Sequence, residues 1–283
     1  MRRSTIFLAF VLLTGLTFAP TNGAEPLKVM SFNIRYGLAK DGDNEWSKRT
    51  DLVINTIKAF GPDLLGTQEA LKFQAEFLKK NLPGYGYVGQ TRDNNPNGEQ
   101  CAVFYRMDRF EKIADEQFWL SESPAKPVSK SWDSSLPRIV TLVVLKDKHS
   151  NRELTFYNTH FDHRGKTARL ESARLLRAKI EARQPATAMI ITGDFNCDED
   201  SEPYKQLLGS ARLQDSYRLV HPKAGPNEGT FNGFKGTKTG ARIDWIVHSA
   251  AFKPSTATID DSNRNGQYPS DHFPVTATLN WQE

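Results

Sequence analysis

The chain has 283 residues, 38% of them hydrophobic and 25% charged, a balance that supports one large domain or two small ones with a proper core and excludes intrinsic disorder. Arg2 and Arg3 carry the only charges in residues 1–24, so without that segment the formal net charge falls from +4 to +2. No run of Lys and Arg longer than two follows residue 24, so no extended nucleic-acid track is visible, although folding can still assemble a basic patch.

In chain order, the amino-terminal segment stands apart. Arg2-Arg3 precedes an apolar run from Ile6 to Ala19 and the small-residue stretch Thr21-Asn22-Gly23-Ala24. This pattern predicts a secretory signal peptide over 1–24, cleaved near Ala24, and a secreted or periplasmic mature protein. The run is short for a bilayer span, and no transmembrane segment is expected in the mature chain. Residues 25–283 show no fixed-period repeat or low-complexity linker, which predicts a single domain, expected to be monomeric. Cys101 and Cys197 sit among apolar or motif residues without metal-site spacing, and two buried free thiols are expected rather than a disulfide.

Strands are predicted at Leu27–Asn33, Asp63–Glu69, Cys101–Tyr105, Ile139–Lys146, Glu153–His160, Ala188–Asp194, Ile243–Val247 and Phe273–Leu279. Helical spacing lies between some of them. Ser47–Phe60 places Val53, Ile57 and Phe60 on one stripe, Ala70–Asn81 stops before Pro83-Gly84, and Thr167–Arg183 carries Leu170, Ala173, Leu176 and Ile180. Strands covered by helices imply an α/β layered architecture. Four long polar stretches, Leu38–Glu45, Gly89–Gln100, Ser121–Pro137 and Pro222–Gly240, are expected to rim a cleft.

The strand ends carry the chemistry. KVMSFN stops at Asn33, DLLGTQE at Glu69 and LTFYNTH at His160; MIITGDFN ends in Asp194 and Asn196, RIDWIV has Asp244 near its start, and PSDHFPV contains Asp271-His272. Side chains two apart on an extended chain point the same way, so Asp194 and Asn196 should project together from the carboxyl end of a buried strand, where α/β proteins hold ligands. One polar residue at a strand end is usually a turn former or a cap. Six of them, all of types that bind hard cations or move protons, argue against coincidence.

The motifs SFN, TQE, NTHFDH, GDFN, RIDWI and SDHFPV, in this order, resemble those of the endonuclease/exonuclease/phosphatase family, the deoxyribonuclease I-like metal-dependent phosphoesterases. The resemblance covers residues 27–281, and FWLSESP, SWDSSLPRIVT and GTFNGF are most similar to its secreted bacterial metal-dependent hydrolases. It implies a four-layer α/β/β/α sandwich, with two facing sheets, helices outside and the site at one edge between the sheets. It also implies Mg²⁺ or Mn²⁺ as cofactor and a phosphate ester as substrate.

Roles follow for the individual residues. Water attack on a phosphodiester needs a neutralised phosphate, an oriented water and help for the leaving oxygen. Glu69 is the candidate metal ligand because a hard divalent ion takes carboxylate oxygen, and the resemblance adds Asn33 and Asp271 to that pole. Adjacent side chains diverge on an extended chain, which sends Asp271 toward the metal and His272 toward the scissile phosphate. His272, as general base or phosphate-orienting group, needs a carboxylate partner, and the resemblance implies Asp244. It further implies that His160 stabilises charge on the phosphate oxygens, with Asp162 and His163 in support or at the rim. Asp194 would orient the nucleophilic water or hold a second metal, and Asn196 would donate to a phosphate oxygen.

Arg35 occupies a position two residues after Asn33 where the repair endonucleases of the family carry a carboxylate. A cation there would reduce the charge density at the metal or meet an anionic substrate directly, and it counts against repair-type DNA cleavage. Arg138 is a second candidate phosphate contact through its guanidinium fork, with a surface salt bridge as the alternative. The loop aromatics Trp132, Phe231 and Phe234 are available to stack on a base, sugar or lipid headgroup, or simply to pack.

The function expected from the sequence is a secreted metal-dependent phosphoesterase that hydrolyses phosphodiester bonds of a small, lipid-linked or sugar-linked substrate. A secreted non-specific nuclease is the alternative, with nucleic acid the less favoured partner. A non-catalytic binding module on the same fold is the second alternative, and the competent side chain at every expected position counts against it.

Overall fold

The computed structural model describes residues 25–183, 188–209 and 213–282, and the expected signal peptide lies outside them. The first half of the fold comprises β1 (Leu27–Asn33), α1 (Trp46–Phe60), β2 (Leu64–Leu71), α2 (Lys72–Asn81), β3 (Tyr85–Val88), β4 (Glu99–Arg106), β5 (Phe110–Trp119) and β6 (Ile139–Asp147). The second half comprises β7 (Glu153–His160), α3 (Lys166–Glu181), β8 (Ala188–Asp194), α4 (Glu202–Leu208), β9 (Leu213–Asp215), α5 (Ser216–Val220), β10 (Asp244–Ser249), β11 (Phe252–Ile259) and β12 (Val275–Trp281).

These strands form two six-stranded mixed sheets, ordered β11-β12-β1-β2-β4-β3 and β5-β6-β7-β8-β10-β9. Strand β1 runs parallel to β2 and β7 parallel to β8, whereas β1 and β12, and β8 and β10, pair antiparallel. The central strands read as continuous apolar runs because both of their faces are covered. In β1, Val29 enters the core between the sheets, while Met30 and Phe32 enter a second core with Val53, Ile54 and Ile57 of α1 and Leu78 of α2. On the opposite side, Ala173, Leu176 and Ile180 of α3 and Leu207 of α4 cover Tyr157, Ile191 and Trp245. The result is the four-layer α/β/β/α sandwich expected from the sequence.

A buried polar network spans the two sheets near the site. Gln68 Nε2 donates to Asn158 Oδ1 at 2.7 Å, Thr192 Oγ1 donates to the same oxygen at 3.1 Å, and Asn158 Nδ2 donates to the carbonyls of Thr67 and Ala102. Gly66 makes this approach possible, since a Cβ there would lie 2.1 Å from Thr192 Oγ1. Every member that crosses the gap has a partner on the opposite sheet, which fixes how one sheet sits on the other.

Several boundaries differ from the sequence reading. Ala70 and Leu71 continue β2, so α2 begins at Lys72. Strands β3, β5, β9 and β11 were not predicted, and they are the four edge strands. An edge strand need not be apolar on both faces: β5 exposes most of its charged middle, and β11 carries Pro254. Cys101 is buried and Cys197 half-buried, and both are free thiols, each pushed up to about 12 by burial. Among the described residues no helix is long and apolar enough to cross a membrane.

Candidate active site

Strand register assembles the site. His160 pairs with Asp194 across the parallel β7–β8 ladder, and Asp244 pairs with Asp194 across β8–β10, so three adjacent strands set these side chains in one row. Asn33 closes β1 on the facing sheet. An isolated antiparallel bridge between Phe231 and His272 brings the Pro222–Gly240 stretch against the loop before β12. Arg35, Glu69 and Asn196 all have φ between 51° and 62°, the left-handed region, which non-glycine residues rarely occupy. For Glu69 this coincides with a register shift in the β2–β4 ladder between Thr67 and Ala70, a local bulge that re-aims the side chain.

Asp194 lies at the centre. Its Oδ2 accepts a hydrogen bond from Asn33 Nδ2 at 3.0 Å and lies 3.3 Å from His160 Nε2 and 3.8 Å from His272 Nε2, while its Oδ1 accepts the Asn196 N–H at 3.0 Å. Burial, then the Asp244 charge, push the Asp194 carboxyl up to about 7. Burial works against an imidazolium at His272, but the charges of Asp244 and Asp194 outweigh it and raise the His272 pKa well above its ordinary value. His160 goes the other way: burial and the nearby Arg138 and Arg92 hold it neutral. Asn196 Nδ2 lies 3.0 Å from His160 Nε2 and donates to the Phe161 carbonyl, so Asp194 and Asn196 share one site as their spacing predicts.

Asn33, Glu69 and Asp271 are the cation pole expected from the sequence, and the structure offers further donor groups beside it. Glu69, His160 and Asp194 present donor atoms within 4.8 Å of one another, and Asp194, Asp244 and His272 form a second such group. In the second group the His272 imidazolium already offsets one of the two carboxylate charges. The first has two carboxylates, a neutral imidazole and no cation of its own, a donor set that fits a divalent ion. Asn33 braces this group: Nδ2 donates to Glu69 Oε1 at 3.2 Å as well as to Asp194, and Oδ1 accepts the Arg35 N–H at 3.0 Å. Asp271 is buried, which raises its pKa, and its Oδ2 lies 3.4 Å from Arg35 Nη1. Arg35 is held from the other side by two hydrogen bonds to Asp41.

A cavity of about 600 Å³ opens over these groups, lined by Glu69, His160, Asp194, Asn196, Asp271 and His272 on the catalytic side. Arg35, Arg92, Glu99, Leu136, Arg138, His163 and Phe231 complete much of its wall. Three of the four polar stretches thus reach it, through Arg92 and Glu99, Leu136, and Phe231. Arg138 is not a surface ion pair; it is buried, donates from Nε to Asp162 at 3.2 Å and lies 2.8 Å from His163 Nδ1, and its Nη1 has no partner among the described residues. Burial works to raise the Asp162 carboxyl, but donors from Gly165, Ser135 and Arg164 outweigh it and hold the group below the usual range. Asp162 therefore supports Arg138 from behind the wall.

Two aromatic assignments need correction. Trp132 and Phe234 do not line the cavity; both are half-buried, and Phe234 packs over the Arg49 guanidinium at 5.6 Å. Phe231 is the loop aromatic at the site, 51% exposed and edge-on to His272 with ring centroids 5.2 Å apart. The sequence reading also missed Arg92, Glu99 and Arg49. Arg49 is fully buried and donates to the carbonyls of Ile34, Arg35, Asn44 and Pro269, tying the end of β1 to the loop that carries Asp271. On a helix otherwise read for its apolar stripe, a single arginine gave no signal of that role.

A family model described as endonuclease/exonuclease/phosphatase matches residues 30–272. The chain belongs to that family. It is a hydrolase of phosphate esters, and its site contains a cluster able to hold a metal ion. Among solved structures, a Bacteroides thetaiotaomicron mannosyl-6-phosphatase superposes with a TM-score of 0.81 at 37% identity, covering 89% of this chain and 99% of that one. An endonuclease/exonuclease/phosphatase family protein from the same organism gives a TM-score of 0.84 at 35% identity, covering 91% and 98%. Mouse nocturnin is 26% identical over 91% of this chain, which spans 66% of the nocturnin length.

Proposed function

We propose that this phosphoesterase removes a terminal phosphate from a small, sugar-like molecule, with Mg²⁺ or Mn²⁺ bound by Glu69, Asp194 and His160. The observation that carries the reading is the cavity: at about 600 Å³, with Phe231 and Leu136 on its walls, it suits a small ligand rather than a duplex. The sequence favoured a diester. The likeness to a mannosyl-6-phosphatase supports a monoester of a sugar instead. A bound divalent ion would offset phosphate charge.

The chain's own groups supply the remaining chemistry. Asp194, fixed at the centre of the site by Asn33 and the Asn196 N–H, orients the attacking water and accepts its proton. Protonated His272, held by Asp244, faces the same space and stabilises charge on the phosphate or protonates the leaving oxygen. Asn196 and Arg35 offer donors to the phosphate oxygens from the cavity wall. Export through a leader ending near Ala24 is also part of the proposal, and amino-terminal sequencing of the mature protein tests it.

The test of substrate class is a panel of hexose phosphates, phenyl phosphate, bis-(4-nitrophenyl) phosphate and duplex DNA, with Mg²⁺ present. Release of phosphate from the monoesters, exceeding diester cleavage, supports the reading. Efficient DNA cleavage with no turnover of small esters would replace it with the nuclease.

A further inference from the structure

Behind the catalytic groups the cavity has a wall that phosphate hydrolysis does not require. Arg92 Nη2 donates to Glu99 Oε1 at 2.6 Å, and this pair shares the wall of the cavity of about 600 Å³ with Arg138, Glu69 and His160. The pair is rigid. The Arg92 N–H donates to the Glu99 carbonyl, and the Arg92 carbonyl accepts from Trp119 Nε1 at 2.7 Å, which pins the base of the Gly89–Gln100 stretch.

The charge balance of this wall says what it suits. A lone arginine would call for an anion, but Arg92 is matched by Glu99 and Arg138 by Asp162. What remains is a fixed array of donors and acceptors without net charge. Glu99 and Arg92 both line the cavity, and Glu99 Oε2 accepts no hydrogen bond among the described residues. A donor beside an acceptor matches neighbouring hydroxyl groups, each of which both donates and accepts. Phe231, against His272, adds an exposed ring face on which the apolar side of a saturated ring can lie.

We propose that Glu99 and Arg92 determine specificity by binding vicinal hydroxyls of a polyol ring whose phosphate sits at Asp194 and His272, with Phe231 as the stacking surface. This rests on the monoester reading above and names the leaving group: a pyranose or a cyclitol.

The test has two arms. In the first, kcat/KM is measured for a hexose 6-phosphate, myo-inositol 1-phosphate and phenyl phosphate with wild type, Glu99→Gln and Phe231→Ala. Glu99→Gln should lower the ratio of polyol phosphate to phenyl phosphate at least ~10-fold, mainly through KM, because it removes a charged partner from a hydroxyl. Whichever polyol loses more identifies the ring. An unchanged ratio overturns the proposal.

The second arm needs no turnover. Calorimetry with Mg²⁺ compares a hexose 6-phosphonate, whose C–P bond resists hydrolysis, with methylphosphonate. Wild type should prefer the sugar phosphonate at least ~10-fold and Glu99→Gln should lose that preference. Equal affinity for the two phosphonates in wild type overturns the proposal. Sugar preference without hydrolysis of any monoester leaves it standing and removes the monoester reading alone.

Discussion

His272 Nδ1 lies 2.9 Å from Asp244 Oδ2 and its Nε2 lies 3.8 Å from Asp194 Oδ2, so a single imidazole bridges two buried carboxylates. The Asp244 charge raises the pKa of both other members of this trio. Asp194 must be ionised to accept a proton, so activity rises as pH climbs through its pKa. His272 must stay protonated, so activity falls as pH climbs through its own. Asp244→Asn removes the charge that raises both values, and both limbs of the pH profile of kcat should move to lower pH. A bound cation lowers the Asp194 value in both proteins without changing that sign. A uniform loss of rate with unmoved limbs would make Asp244 a packing residue.

Glu69 is the carboxylate of the candidate cation group least involved in proton transfer. Glu69→Gln should weaken Mn²⁺ binding at least ~10-fold in a calorimetric titration, while the Tm in chelator changes little. Unaltered Mn²⁺ affinity would move the ion elsewhere.

Arg49 is expected to matter for stability and for the site together. Replacing it with Met leaves several buried carbonyls without a donor, each costing on the order of 1–3 kcal/mol, so a loss of about 3 kcal/mol is expected in denaturant unfolding. Because the same carbonyls flank Asn33 and Asp271, Mn²⁺ affinity should fall as well. Wild-type stability in Arg49→Met would show that water replaces the guanidinium.

Salt separates a small substrate from a polymer. One phosphate held by a few side chains gives a shallow dependence, so kcat/KM for the small ester should change only a few-fold between about 50 and 200 mM salt at saturating Mg²⁺. A loss approaching ~10³-fold over that range would indicate many phosphate contacts.

The fold was legible where packing dictates sequence. Each central strand is buried on both faces, and Leu27–Asn33, Glu153–His160 and Ala188–Asp194 agree with their predicted bounds. The edge strands were not legible, because one flank meets water and β5 there can be Glu-Lys-Ile-Ala-Asp-Glu. At the site, strand-end polar residues announced His160, Asp194, Asn196 and Asp244, since the sheet edge is where apolar runs must stop. What stayed hidden depends on tertiary pairing. Nothing local distinguishes Arg92 and Glu99 from solvated charges until the chain folds them together, and nothing local separates Phe231 at the cavity from Phe234 three residues on, which turns to Arg49. Asp271 likewise immediately precedes His272, yet its ion pair is with Arg35.

The most direct test is the initial rate of phosphate release from a hexose 6-phosphate by wild type and by Asp194→Asn, each with Mg²⁺ and with excess chelator, after circular dichroism shows both folded. Wild type should release phosphate with Mg²⁺ and stop in chelator, and Asp194→Asn with Mg²⁺ should be slower by at least ~10²-fold. Undiminished release in chelator, or a near-normal rate in Asp194→Asn, would contradict a cation-assisted hydrolysis centred on Asp194.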